Sequence, residues 1–193
     1  MASCLFVISG VRNKDVIDTV LRQIDTPAVN EASAAIRVLP ATEKDTPLIL
    51  SFIKSLAEYE RLADACVATE EAIRRTLFGE KPVAEVLLAY SGDKAVGFAL
   101  FFHNYSTFLA ASGLYLEDLF VIPEARGEGA GYALLSALAE IALSRDCGRM
   151  EWSVLAWNQL AIDFYLRIGA VPLDEWRTYR LMGEPLRRLA GRV

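Results

Sequence analysis

The chain has 193 residues, 53% of them hydrophobic, and 20 Lys+Arg against 25 Asp+Glu give a formal net charge of −5. That length suits one domain with a large core, and the acidic balance argues against nucleic acid as the main partner. No apolar run approaches the ~20 residues that span a bilayer. Cys4, Cys66 and Cys147 are scattered without a CxxC or a paired His, which indicates neither a zinc site nor a disulfide framework and fits a reducing cytoplasm.

Met1 to Val11 carries a short apolar patch with no basic residue before it, so a secretory leader is not indicated. Leu5–Ile8 followed by Asp15–Ile24 suits a small strand–helix unit. Thr26 to Ala35, rich in Ala, Ser and Pro, reads as a linker. Residues 1–35 are thus an N-terminal extension without an assigned role.

From Ile36 the pattern is clearer. Ile36–Leu39 reads as a strand, and Thr42 caps a helix through about Leu62, with Ile49, Phe52, Ile53 and Leu56 at helical spacing. Thr69, ahead of Glu70 and Glu71, starts a second helix that stops near Phe78-Gly79. Val83–Tyr90 and Ala95–His103 read as strands joined by the turn Ser91-Gly92-Asp93. Asn104 to Gly113 reads as an apolar loop, followed by a strand, Leu114–Ile122. The helix Gly129–Arg145 places Leu134, Leu135, Leu138, Ile141 and Ala142 on one stripe. Met150–Ala156 is a further strand, Asn158–Ile168 a helix stopped by Gly169, and Val171–Leu173 and Thr178–Met182 the last strands. This order predicts a mixed α/β sheet with helices packed on it, in one domain.

Tyr115 to Tyr132 reads YLEDLFVIPEARGEGAGY and carries the chemistry. A β-rich run ends at Pro123 and feeds a turn of Arg126, Gly127, Glu128, Gly129, Ala130 and Gly131 that opens a helix. Bare amides at a helix start favour an anion, glycine lets the backbone approach a phosphate closely, and Arg126 adds a positive fork. No lysine follows as a P-loop requires, and Tyr132 stands where the dinucleotide fingerprint needs glycine. The remaining alternative is a tight strand-to-helix turn whose glycines serve only the backbone.

The Arg126/Gly129/Gly131 pattern after an acidic strand resembles the pyrophosphate-binding motif of the GCN5-related N-acetyltransferase (GNAT) superfamily, whose donor is acetyl-coenzyme A. YLEDLFV, RGEGAG and WNQLAIDFY together, with Leu56 to Arg61 (LAEYER), resemble more specifically the diamine N-acetyltransferases of the spermidine/spermine and thialysine type. The resemblance covers about Ile36 to Ala190. It implies an acetyltransferase domain over 36–190, built on a mixed, mostly antiparallel twisted sheet with helices on both faces. It also implies acetyl-CoA as donor with no metal, a small cationic amine as acceptor, direct transfer without an acyl-enzyme, and a homodimer.

The resemblance also distributes roles. A primary amine, with a pKa of about 10, must lose a proton before it attacks a thioester. Glu117 is the implied base and Asp118 the charge that holds a distal ammonium; strand alternation sends the two to opposite faces. Tyr165 is the implied acid for the thiolate leaving group. Leu119, Phe120 and Val121 offer backbone groups to the pantetheine chain and the acetyl carbonyl. Gly127, Glu128, Gly129, Ala130, Gly131 and Tyr132 with Arg126 take the diphosphate, and Asn158 orients the coenzyme arm. Asn158 and Tyr165 are seven residues apart, about 700° of helical rotation, and so share a face. Tyr59 and Glu60 join Glu117 and Asp118 in an acidic, partly aromatic acceptor pocket, with Asp174, Glu175, Phe108 and Trp176 as further wall residues. Each also has a plain structural reading: a soluble strand edge for Glu117-Asp118, a packed tyrosine for Tyr165, a helix cap for Asn158. His103, the only histidine, suits a structural hydrogen bond. The apolar loop 104–113 favours small amines over long polyamines. Two other classes share the donor cleft: an enzyme that acetylates protein lysines or N-termini, and a non-catalytic acyl-CoA sensor.

Overall fold

The computed structural model describes residues 36–192, which form two compact units, 36–153 and 154–192. The strand–helix unit and linker expected within 1–35 lie outside the described residues.

The first unit is a five-stranded sheet in the order β1-β2-β3-β4-β5, made of β1 (Ile36–Pro40), β2 (Glu85–Ser91), β3 (Lys94–Ser106), β4 (Ala111–Val121) and β5 (Met150–Trp152). Neighbours from β1 to β4 run antiparallel, and β5 alone pairs in parallel. The sheet is mixed and mostly antiparallel, as expected. Gly92 closes the β2–β3 turn in the left-handed region, with φ 58°. A parallel neighbour needs a crossover, and α3 (Ala130–Ser144) supplies it between β4 and β5.

Helices flank both faces. α1 (Thr46–Tyr59) and α2 (Glu70–Leu77) bring Ile49, Phe52, Ile73 and Leu77 against Val86, Leu88, Phe98 and Phe120. Phe52 stacks on Phe98, with ring centroids 5.7 Å apart, and tilts against Phe120 at 6.3 Å. Strand side chains alternate, so Leu119 and Val121 belong to the face opposite Phe120. There a Cβ built on Gly131 of α3 would lie 3.9–4.0 Å from their side chains. The stripe of α3 is buried at Leu134, Leu135, Leu138 and Ala142. Burying each leucine contributes about 1.5–3 kcal/mol.

Local stop signals explain most boundaries, with one exception. The Thr69 hydroxyl accepts from the Ala72 amide at 3.2 Å and opens α2. Thr42 forms a reciprocal box with Asp45, but around a short 3-10 turn that precedes α1. α1 ends at Tyr59, three residues before the expected stop. Leu62 N–H returns to Ala57 O at 2.8 Å and Arg61 N–H to Glu58 O at 3.1 Å, the six-to-one and five-to-two pattern of a left-handed helix terminus. The left-handed residue is Arg61, φ 61°, not a glycine, so composition gives no sign of it.

Other expectations are corrected. Asn104–Gly113 is mostly strand rather than loop, since β3 and β4 continue to a tight turn around Thr107–Ala110. β5 stops at Trp152, short of Ala156. In the second unit, α4 (Gln159–Arg167) is the expected helix, closed by Gly169 at φ 88°. Val171–Leu173 and Thr178–Met182 form no strand among the described residues; a strand needs a ladder partner, and neither segment has one there. A short helix, α5 (Gly183–Leu189), follows, with an Arg188–Glu184 ion pair at 2.8 Å.

Candidate functional site

The site residues of the first unit come from three places: the end of α1, the middle of β4, and the turn into α3. β4 is regular up to Leu116, which pairs with Phe101 of β3. The next pair is Asp118 with Leu100, so Glu117 is an extra residue, a β-bulge. Bulges re-aim side chains, and the alternation expected to send Glu117 and Asp118 to opposite faces does not hold here. Beyond the bulge, Asp118 falls on the Phe120 side, toward α1. Glu117 is exposed and Asp118 half-buried.

The end of α1 delivers Tyr59 and Glu60 to the same neighbourhood. Burial pushes the Asp118 carboxyl up to about 6, and the Glu117 and Glu60 carboxylates push it in the same direction. Burial also raises Glu60. The negative charges of Glu117 and Glu60 beside a half-buried Asp118 favour an arriving cation. Arg126 closes one side. Its Nε donates to Val121 O at 3.0 Å, and its guanidinium lies 4.6 Å from the Tyr59 ring centroid and 5.9 Å from that of Phe120. The fork expected from sequence is therefore held by stacking and ties the glycine turn to the end of α1.

The bulge also marks where β4 and β5 part. β5 pairs only with Leu114, Tyr115 and Leu116. From Glu117 to Val121, β4 keeps β3 on one side and has no strand on the other among the described residues. An edge strand directs half its backbone groups outward, so within Leu119–Val121 the backbone of Leu119 and Val121 faces the open edge while Phe120 O lies against Gly97 of β3, and Val121 O there accepts from Arg126. That edge leads to the turn. Gly127 (φ 82°) and Gly129 (φ 91°) are left-handed, and a Cβ on either would meet nothing within 4 Å. Their need for glycine is conformational, and the space beside them is open. Gly129 caps α3 without a side-chain bond, and Ala133 N–H is the amide that returns to it, at 2.9 Å. The earlier amides, 130–132, belong to the first turn, where helices have no internal acceptor. Glu128 lies within this turn, and Tyr132 is 46% exposed on the first turn of α3. This arrangement fits an anion carried on a chain with amide groups.

The second unit holds Asn158 and Tyr165. Asn158 caps α4, its Oδ1 accepting from the Ala161 amide at 3.3 Å. Tyr165 lies two turns on, with its ring 5.6 Å from that of Phe164. Burial raises its phenol above the ordinary value, so it stays protonated at neutral pH. Asp174, Glu175 and Trp176 follow in the same unit, all exposed.

Two expectations fail in the first unit. Phe108 sits at the β3–β4 turn, 93% exposed. Asp118 lies seven steps along β4 from Ala111, roughly 23 Å at ~3.3 Å each, so Phe108 does not line the acidic cluster. For the same reason the apolar character of 104–113 says nothing about amine length. His103 is exposed on β3, opposite Leu114. Among the described residues no cluster of three or more His, Cys, Asp or Glu is arranged to hold a metal ion, and no helix is long and apolar enough to cross a membrane.

Residues 52–170 match the Acetyltransferase (GNAT) family, more than half the chain. The chain is 41% identical over 170 residues to thialysine N-epsilon-acetyltransferase from Bos taurus, covering 82% of this chain and 99% of that one. It is 33% identical to L-ornithine N5-acetyltransferase from Arabidopsis thaliana, covering 79% and 87%. Among solved structures, an integron cassette protein from the mobile metagenome of V. cholerae superposes with a TM-score of 0.69 at 29% identity, covering 80% of this chain and 97% of the other.

Proposed function

The chain belongs to the GNAT acetyltransferase family, and on that premise we propose that it moves the acetyl group of acetyl-CoA directly to a primary amine of a small cationic substrate, such as a diamine, a polyamine or a lysine analogue. The observation that carries this reading is the cluster of Glu60, Glu117 and Asp118 beside the open edge of β4. It supports a cation site next to a strand edge able to hold an amide-bearing chain. The relatives named for thialysine and ornithine acetylation support a short amine that carries a second charge.

The residues present fit the coenzyme. The turn 127–132 would hold its diphosphate on backbone amides, Arg126 would add charge, and the Leu119–Val121 edge would pair with the pantetheine amides. Bound there, acetyl-CoA supplies an activated acetyl thioester. Asp118 and Glu60 hold the substrate's distal ammonium, while Glu117, exposed on the bulge, takes the proton from the reacting amine directly or through water. Tyr165, kept protonated by its burial, would give its proton to the departing sulfur. Asn158 orients the coenzyme arm. The homodimer and the cytoplasmic location rest on the family resemblance and the unpaired cysteine pattern.

Incubation of the purified protein with acetyl-CoA and a panel of spermidine, spermine, putrescine, ornithine, thialysine and lysine, read as free thiol, tests the assignment. Release above hydrolysis with at least one small amine is expected; release with lysine-containing peptides alone would move the protein to the macromolecular class. Tyr165→Phe is expected to lower kcat about tenfold with coenzyme affinity within twofold, measured by steady-state rates and calorimetry. Unchanged turnover would hand the proton to water or to another acid.

A further inference from the structure

The face of the sheet just before the strands part carries a polar row. Asn104 of β3 stands opposite Gly113 of β4 and reaches over it to β5, where its Nδ2 donates to Glu151 Oε2 at 2.9 Å. Arg149 Nε lies 2.8 Å from the same oxygen. Gly113 is what allows the crossing: a Cβ there would lie 2.2 Å from Asn104 Oδ1 and 3.3 Å from Arg149 Cγ. Gly113 is not at positive φ, so its requirement is space and not conformation. Glu151 pairs in register with Tyr115, one step from the final pair, Leu116 with Trp152, after which the bulge begins. A second tie sits beside it, Tyr115 Oη to Ser153 Oγ at 2.9 Å.

We propose that Asn104 and Glu151, with the Arg149 charge beside them, form a clamp that holds the end of β5 on β4 and thereby fixes where the open edge of β4 begins at Glu117. These are positioning residues, since none belongs to the acidic cluster or the glycine turn. The reasoning is mechanical. The β4–β5 ladder has three residue pairs and ends at Leu116 and Trp152, immediately before the bulge. A side-chain bond from β3 across β4 to β5 adds a constraint at that short ladder. Glu151 is partly buried, its side chain 27% exposed, so its bond from Asn104 is partly shielded from water and stronger than a surface contact. The proposal rests on reading the open β4 edge as the coenzyme's seat.

The test uses the full chain and acetyl-CoA or coenzyme A. In Glu151→Leu, the coenzyme Kd and KM are expected to rise about tenfold, with kcat at saturation within twofold of wild type, the size of effect expected from losing a charge-assisted bond. Glu151→Gln keeps an acceptor for Asn104 Nδ2 and should recover most of the affinity. Asn104→Ala, which removes the opposite end without uncovering a charged partner in the core, should reproduce the Glu151→Leu pattern if that variant folds poorly. A folded Glu151→Leu or Asn104→Ala that loses melting temperature but binds coenzyme as wild type does would reduce the row to a structural role and overturn the proposal. A fall in kcat with Kd unchanged would also overturn it. Wild-type protein that binds no coenzyme would instead sink the functional reading on which the clamp depends.

Discussion

Asp118→Asn is expected to make the protein more stable above neutral pH and a poorer enzyme at the same time. The stability sign follows from the direction of the shift. Burial and two neighbouring carboxylates raise the folded carboxyl to about 6 from 3.8, so the fold favours its protonated form. That contribution is fully present below 3.8 and is lost as pH rises through about 6. The wild type therefore carries a penalty of about 3 kcal/mol at pH 7.5 that asparagine, unable to ionise, does not. Melting temperatures of the two proteins should nearly coincide near pH 4 and separate above pH 7, with the variant higher. Activity moves the other way. A charge-assisted contact to an ammonium is worth about 1.5–3 kcal/mol, so the amine KM should rise roughly 10–100-fold. Wild-type amine KM should also climb as pH falls below about 6, where Asp118 takes up a proton, and this rise should flatten in the variant. A variant that is neither stabilised at pH 7.5 nor impaired in amine KM would place Asp118 outside the acceptor site.

Glu117→Gln should show a different signature, a loss of rate and not of affinity. A positioned general base contributes about 10²–10⁴-fold. The variant's kcat at pH 7 is expected to drop about 100-fold with amine KM within a few-fold, and much of the loss should return toward pH 9–10, where free amine becomes abundant. The pair of variants separates roles that adjacency in sequence confounds. If the pH-recoverable loss appears in Asp118→Asn and not in Glu117→Gln, the two residues exchange assignments. The bulge makes this a real alternative, because it frees both carboxylates from strict alternation.

What the sequence made legible was local. Thr69 and Asn158 cap helices where a short polar residue precedes a helical pattern. The stripe of Leu134, Leu135, Leu138 and Ala142 is buried because 3.6-residue spacing leaves it no other use. Gly127 and Gly129 mark the strand-to-helix turn through their left-handed φ values. What was hidden depends on a second segment. An extra residue at Glu117 is visible only when β4 is laid beside β3, since two consecutive acids in a strand read as ordinary alternation. Arg61 ends α1 in a conformation normally left to glycine, and only the returning amides of Arg61 and Leu62 disclose it. The 104–113 segment looks like a loop because it is apolar and ends in Ser-Gly, yet a long β-ladder carries it into the sheet. The C-terminal apolar segments look like strands, but strand character is conferred by a neighbour. At the early end of α1, Glu60 lies near enough to push on Asp118 and Tyr59 packs under Arg126.

The brief parallel ladder between β4 and β5 has a kinetic corollary. The hairpins β2–β3 and β3–β4 close short spans of chain, whereas β5 can dock only after all of α3 has been traversed, and such distant pairings form late. The open edge of β4 therefore begins beside the shortest ladder of the sheet, three pairs against five or more in every other, on the side that closes last.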